Sequence, residues 1–316
     1  MITVALAGST SRGLGRAILT ALAEYPTQLR GIVLSRHTSP TPRWLEDMGI
    51  EVRKVDYTSE DSLFAALEGV HTVISTLLAQ DGTWTSTQLT LLRASLRRGI
   101  PRFAPAEFGP GPLAAPHIDL LRPQRAVLDA CRAAATQNPG FEYAGFHLGL
   151  FMNYLGYGAP DEEPALNGLS DSWRFVWDVE GMRARIPLTR EGRVPRLSMM
   201  EIGDVGRFVA AACVLPAGTW REDFSMEGAT VRLDEVVRIV EEVRGRKMEV
   251  VYRPYEMVCE EEEREQVAYP DKFWGQLERM VARERVGEGV VEPVLNELCP
   301  QVRPMGVEEY VRKFWS

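Results

Sequence analysis

The chain has 316 residues, a formal net charge of −8, 45% hydrophobic residues and 25% charged ones, the balance of an ordinary globular protein of one large domain or up to two smaller ones. Its acidity and the lack of a basic stripe exclude a general nucleic-acid binder, and no apolar run approaches the roughly 18 residues that a membrane span requires. The four cysteines, Cys131, Cys213, Cys259 and Cys299, are scattered, so neither a metal site nor a disulfide framework is expected. With no basic start of a signal peptide, a cytoplasmic protein with reduced thiols is the expectation.

The first stretch organises the rest. Ile2 to Ala7 reads as a strand, Gly8 to Gly15 as a glycine turn, and Leu14, Ala17, Ile18, Ala21 and Leu22 as the apolar face of a helix. Strand, glycine loop and helix in that order open a dinucleotide-binding βαβ unit, in which the backbone approaches a pyrophosphate at the helix N-terminus. Four residues separate Gly8 from Gly13, so the loop departs from the G-x-G-x-x-G spacing. Gly8, Ser9, Thr10, Ser11, Gly13 and Leu14 are expected to hold the pyrophosphate.

A second buried strand, Leu29 to Arg36, ends in Ser35-Arg36-His37 and not in an acid. An acid at this place bonds the ribose 2′-hydroxyl of NAD, whereas a cation accommodates the 2′-phosphate of NADP. Arg36, with Arg12 as a second positive charge, therefore predicts NADPH as cofactor. Glu51 to Tyr57 is a third strand, followed by a helix from Ser59 or Glu60 through Leu67. Asp56 and Tyr57, at that strand's carboxyl end, either touch the adenine or cap the next turn. Val70 to Leu77 is a fourth strand whose small end lets a ribose come close, with Thr76 and Leu77 beside it. A helix over Thr87 to Arg98, a fifth strand and exit loop over Pro101 to Gly109, and a sixth strand from Phe141 to Phe146 complete the pattern. His147 and Gly149 follow the sixth strand at the edge where ligands collect. Residues 1–150 are thus read as an α/β Rossmann domain with a doubly wound parallel sheet.

From Leu148 the chain becomes rich in aromatic residues and glycine. Phe108, Phe151, Tyr154, Trp173 and Trp177 are the candidates for a pocket that takes a flat, largely apolar molecule, with two or three of them expected to reach it. A polar loop over Gly158 to Ser172 precedes a predicted β-ribbon from Arg183 to Ser198 with a Thr189–Gly192 turn. Glu201 to Leu215 is read as a helix, Asp223 to Glu227 as a short strand, Val231 to Val243 as an amphipathic helix and Met248 to Tyr252 as a strand. The acidic run Glu260 to Glu263, with Arg264 and Glu265, is read as a solvated helix face. Phe273 to Arg285 and Val307 to Trp315 are the last helices, the final one docking by Val311, Phe314 and Trp315. Residues 151–316 form the expected smaller α/β substrate lobe, from which 199–216 returns to pack on the Rossmann domain.

Several segments carry a resemblance in a consistent order: Val73 to Leu77, then Pro105-Ala-Glu107-Phe108-Gly109, then Phe151-Met-Asn-Tyr-Leu-Gly156, then Ile202 to Ala211. On these motifs the chain resembles the NmrA-like and isoflavone-reductase-like proteins, an atypical branch of the short-chain dehydrogenases, of fungal type, over roughly residues 1–255. The resemblance implies an NADPH-dependent oxidoreductase of specialised metabolism that reduces C=C, C=N or benzylic ether groups of a small aromatic or heterocyclic molecule. It also implies a lysine at the start of the helix after the Glu-Phe-Gly loop, credited with proton transfer and with holding the nicotinamide ribose. Here that position holds Gln124, and no lysine occurs between Lys54 and Lys247. Gln124 can hydrogen-bond a ribose but cannot act as a titrating acid, and Arg122 and Arg125 stay charged.

Two consequences follow from that departure. Another residue supplies the proton, with His117, Asp119 and His147 as candidates, or the acceptor needs none, as with an iminium ion or a redox-assisted rearrangement or cyclisation. The alternative is a regulator that senses NAD(P) without turnover and binds a protein partner, a role some NmrA-like proteins have. Otherwise the expected partner is a small-molecule substrate, with no nucleic acid and no membrane.

Overall fold

In the computed structural model, which describes all residues except 80, 171, 172 and 265–267, the chain opens with β1 (Ile2–Ala7) and α1 (Leu14–Ala23) as its hydrophobic spacing dictates. Val4 and Leu6 face one side of the sheet while Ala5 and Ala7 face the other, the alternation of a strand buried on both faces. There follow β2 (Leu29–Arg36), α2 (Arg43–Asp47), β3 (Glu51–Val55), α3 (Glu60–Ala66), β4 (Thr72–Ser75), α4 (Trp84–Arg98), β5 (Arg102–Ala104), α5 (Gln124–Gln137) and β6 (Glu142–Tyr143). Ser59 caps α3 by accepting from the Ser62 amide at 3.2 Å, the local signal for that start.

These six strands form one parallel sheet in the order β3-β2-β1-β4-β5-β6. The order reverses between β1 and β4, and that point is where an open α/β sheet binds its ligand, outside the carboxyl ends. The expected Rossmann class is the observed one.

The remainder comprises β7 (Leu150–Phe151), α6 (Glu162–Leu166), β8 (Trp177–Asp178), β9 (Arg183–Pro187), β10 (Arg196–Met200), α7 (Ile202–Cys213), β11 (Ala229–Arg232), α8 (Leu233–Arg244), β12 (Glu249–Arg253), α9 (Tyr255–Glu262), α10 (Asp271–Arg283), α11 (Val294–Leu298) and α12 (Val307–Trp315). Two three-stranded sheets are built from it, β11-β10-β7 and β12-β9-β8. One face of the large sheet is covered by α1 and α7, the other by α3, α4 and α5, and a third apolar cluster fills the C-terminal part. Helix α7 lies close on α1: a Cβ on Gly206 would stand 2.4 Å from the Ala17 carbonyl oxygen.

One predicted pairing is corrected. Arg183–Ser198 is not a ribbon, because β9 pairs with β8 and β12 while β10 pairs with β7 and β11. The Thr189–Gly192 turn exists, closed by the Gly192 amide on the Thr189 carbonyl at 2.8 Å, but it connects two sheets. The segment Asp223 to Glu227 runs beside residues 145–147, joined by Phe224 N to Gly145 O at 2.9 Å and Met226 N to His147 O at 2.8 Å. The expected short strand is thus only an isolated bridge, Asp223 to Gly145, beside the edge of the large sheet. Ser172 at the end of the predicted polar loop, and Glu265 of the acidic run, lie outside the described residues. Among the described residues no helix is long and apolar enough to cross a membrane, and no cluster of His, Cys, Asp or Glu is arranged to hold a metal.

Candidate functional site

The carboxyl ends of β1 and β4 are tied together by short side chains. Ser9 Oγ and Thr76 Oγ1 are hydrogen-bonded at 2.9 Å, and the Thr76 amide donates to the Ala7 carbonyl at 2.8 Å. Gly8 turns with φ of +85°, and a Cβ there would meet the Leu77 side chain at 2.8 Å, so both conformation and space demand glycine. The Gly8 amide donates to the Tyr57 hydroxyl at 3.2 Å, which itself donates to the Leu34 carbonyl at 2.9 Å. Tyr57 is therefore a buried strut linking the glycine turn to β2.

The long loop between Gly8 and Gly13 is met from outside by the end of α6. Gly168, with φ of +81°, lies so close that a Cβ would stand 2.4 Å from the Arg12 carbonyl carbon, while one on Gly13 would stand 2.9 Å from the Gly168 oxygen. Arg12 is correspondingly turned outward. Its guanidinium pairs with Glu163 at 3.3 Å, on the far side of the loop from Arg36, which corrects its expected place at a 2′-phosphate. Ser11 is exposed beside it, and Leu14 is half-buried.

Next to the turn lies a cleft of about 810 Å³ lined by Gly8, Thr10, Arg36, His37, Asp56, Tyr57 and Leu77 among others. Arg36 and His37 are exposed at its mouth. Asp56 accepts from the Thr58 amide at 2.8 Å and hydroxyl at 2.7 Å, and these bonds hold its carboxyl below the usual range. Of the two readings of Asp56, the turn cap is the one its hydrogen bonds display.

At the β5 exit the helix α5 begins with Gln124, which is 8% exposed and donates from Nε2 to the Ala106 carbonyl at 3.3 Å. Phe108 stacks on Phe146, with centroids 5.6 Å apart and planes at 5°. His147, expected at a ligand, is enclosed in the fold: it is 2% exposed, its Nδ1 lies 2.8 Å from Asp223 Oδ1, and its Nε2 faces Glu107 at 3.8 Å. Gly149, with φ of +77°, is pressed on the Ser198 carbonyl of β10, so the junction of two sheets demands glycine there.

Asp119 pairs with Lys272 at 3.0 Å and Arg122 at 2.7 Å, and accepts from Gln276 at 3.0 Å. The Lys272 and Gln276 hydrogen bonds keep its carboxyl below the usual range and so ionised, unsuited to donating a proton. His117 is half-exposed and faces Glu288 at 3.7 Å. Among the aromatic residues, Trp177 is a core side chain whose Nε1 donates to Leu233 O at 3.1 Å. Tyr154 is buried edge-on against Trp274 at 5.5 Å. Both corrections have one cause: the rings that read as a pocket lining fill the C-terminal core. Phe108, Phe151 and Trp173 keep partial exposure, and Trp173 stacks on Trp274 at 5.4 Å.

A family model described as the NmrA-like family matches residues 2–311. The chain belongs to the NmrA-like family. A curated relative of Metarhizium robertsii, oxidoreductase swnN, is 23% identical over 346 aligned positions, spanning 100% of this chain and 98% of that one. Oxidoreductase aprR of Aspergillus flavus is 33% identical over 135 positions, 39% of this chain and 44% of its own. Among solved structures, AtPrR2 with NADP+ and (+)pinoresinol superposes with a TM-score of 0.74 at 20% identity, covering 99% of this chain and 98% of that one. An isoflavone reductase gives 0.72 at 18% identity, covering 98% of each.

This part of the fold brings together a glycine turn with no room for a side chain, a helix N-terminus behind it, and Arg36 in the adjoining cleft with Tyr57 and Asp81. Sequence reasoning missed the Tyr57 strut and the Gly13–Gly168 contact. Glu107, within the Glu-Phe-Gly motif, is the partner of His147 that spacing along the chain does not reveal.

Proposed function

We propose that this protein is an NADPH-dependent oxidoreductase that acts on a small aromatic or heterocyclic metabolite at an activated C=N or C=C bond. The observation that carries the reading is the end of β2, where Arg36 and His37 line the cleft beside Gly8 and Thr10 and no acid follows the strand to favour NAD. Residues 1–150 with 199–216 form the cofactor-binding part, and 151–316 the substrate lobe. The oxidoreductase names of the fungal relatives and the NADP+ in the AtPrR2 structure support it.

NADPH, when bound, supplies a hydride. The chain's residues bind and orient. The Gly8–Gly13 turn and the N-terminus of α1 receive the diphosphate, and Arg36 pairs with the 2′-phosphate as a planar fork. Thr76 and Leu77 border the ribose. Phe108 and Phe151 offer apolar surface that excludes water from the acceptor, whereas Trp173 lines a separate cavity in the C-terminal part. Gln124, tied to Ala106, can orient a hydroxyl but carries no transferable proton, and Asp119 is held ionised. This set suits an acceptor that becomes neutral on gaining a hydride, such as an iminium carbon, and so needs no proton in that step.

That neither Gln124 nor Asp119 can donate a proton favours, as a second reading, a dinucleotide-binding regulator that engages a protein partner. Following NADPH absorbance with cyclic iminium ions and conjugated aromatic ketones separates the two. Consumption that depends on the acceptor supports the enzyme. Tight NADPH binding with no turnover across such a panel would overturn it in favour of the regulator.

A further inference from the structure

The exits of β5 and β6 carry a charged cluster that the cofactor reading leaves unused. A dinucleotide laid across the switch point has its adenosine half over β1–β3 and its second half over β4–β6, so these exits border the reacting end. Glu107 and Phe108 leave β5 toward opposite faces. Phe108 stacks on Phe146, and Glu107, 4% exposed, faces His147. The two segments are joined by Leu148 N to Gly109 O at 2.8 Å and Gly149 N to Gly109 O at 3.1 Å. Among the described residues four buried side-chain polar atoms have no hydrogen-bond partner, and two of them, Glu107 Oε1 and His147 Nε2, belong to the two groups that face each other here.

Removing one partner from a buried charged pair is costly, because the other charge is left uncompensated. We propose that Glu107, His147 and Asp223 form a clamp that sets the position of Phe108, and through it the nicotinamide-side half of the cofactor site. Glu107 and His147 are thus positioning residues, and the proposal rests on the dinucleotide reading above. The cluster reaches the surface through Asp223, whose side chain is 35% exposed and also accepts from Ser225 at 2.5 Å. Other charges near His147 are Glu222, on the same segment as Asp223, and Arg132 of α5, which pairs with Glu222.

Protonation supports the clamp. Burial opposes charge on His147, but its hydrogen bond to Asp223 and the nearby Glu107 carboxyl outweigh that and push its pKa up to about 9. Burial raises the Glu107 carboxyl while His147 works against it. Asp223, despite its own burial, is held below the usual range by His147. At neutral pH the imidazolium lies between two carboxyl groups and joins strand, loop and neighbouring segment.

The test uses the full chain and two probes, NADPH and adenosine 2′,5′-bisphosphate, which shares only the adenosine half. Glu107→Gln and His147→Gln are expected to weaken NADPH binding about tenfold, to leave the bisphosphate unchanged, and to reduce the fluorescence enhancement of bound NADPH. Asp223→Asn, at the exposed end, is the second variant and should show the same selectivity at smaller amplitude should the buried variants not fold. Proton NMR of the four histidines should show His147 titrating above its ordinary range, and lower in Glu107→Gln. Folded variants that bind both probes like wild type would overturn the clamp alone, as would equal loss of both, which marks general damage. A wild type that binds neither probe would overturn the cofactor reading, and the clamp with it.

Discussion

At the scale of single residues, the site is held by polar groups whose partners lie far away in sequence. Tyr57 accepts from Gly8, 49 positions earlier, and donates to Leu34. Tyr57→Phe keeps the ring but leaves a buried carbonyl and the turn amide without their partner, at a cost of about 1–3 kcal/mol. Urea unfolding should show that loss, and NADPH should bind more weakly because the turn loses its support. Gln124 was legible from the chain because a motif fixed its place relative to Val127. The partners of His147 were not, since Asp223 is 76 positions away and neither periodicity nor spacing relates them. An exposed-looking histidine after a strand and a buried imidazolium have the same one-letter pattern.

At the scale of elements, the Rossmann half was readable because each unit repeats one local logic. An apolar run of period two becomes a strand, a capped amphipathic stretch becomes a helix, and short connections leave little choice of order. β2 and α12 fall on the residues expected. The C-terminal sheets were not readable in the same way. β9 and β10 look like a hairpin because a turn separates them, yet each finds better-matched neighbours elsewhere, and only tertiary packing decides that. The contact of α6 with the glycine loop was equally hidden. It makes Gly168→Ala a sharp test: with φ of +81° and Arg12 backbone in the way, the variant should be destabilised by about 1–3 kcal/mol in urea unfolding. Dinucleotide affinity should fall with it, since the Gly168 segment and the glycine loop must part.

At the scale of the whole molecule, the clamp couples stability to pH. The folded His147 has a pKa of about 9 against an ordinary 6.5, so its contribution is complete below about 6.5 and disappears as pH rises through about 9. The stability difference between wild type and His147→Gln should therefore be largest near neutrality and shrink in alkaline buffer, as read from urea midpoints across that range. A difference that grows with pH would mean the imidazole is buried neutral. Of the five aromatic candidates, of which two or three are expected at a ligand, Trp177 and Tyr154 supply the core of the second lobe, and Phe108, Phe151 and Trp173 keep partial exposure.

The central claim is that the cleft beside Gly8 and Arg36 holds NADPH. The direct measurement is a pair of fluorescence titrations, NADPH and NADH, on wild type and on Arg36→Ala. The account predicts that wild type prefers NADPH by about tenfold or more and that the variant loses this preference while retaining NADH binding. Equal affinity of wild type for the two cofactors, or a preference that survives in Arg36→Ala, would contradict it.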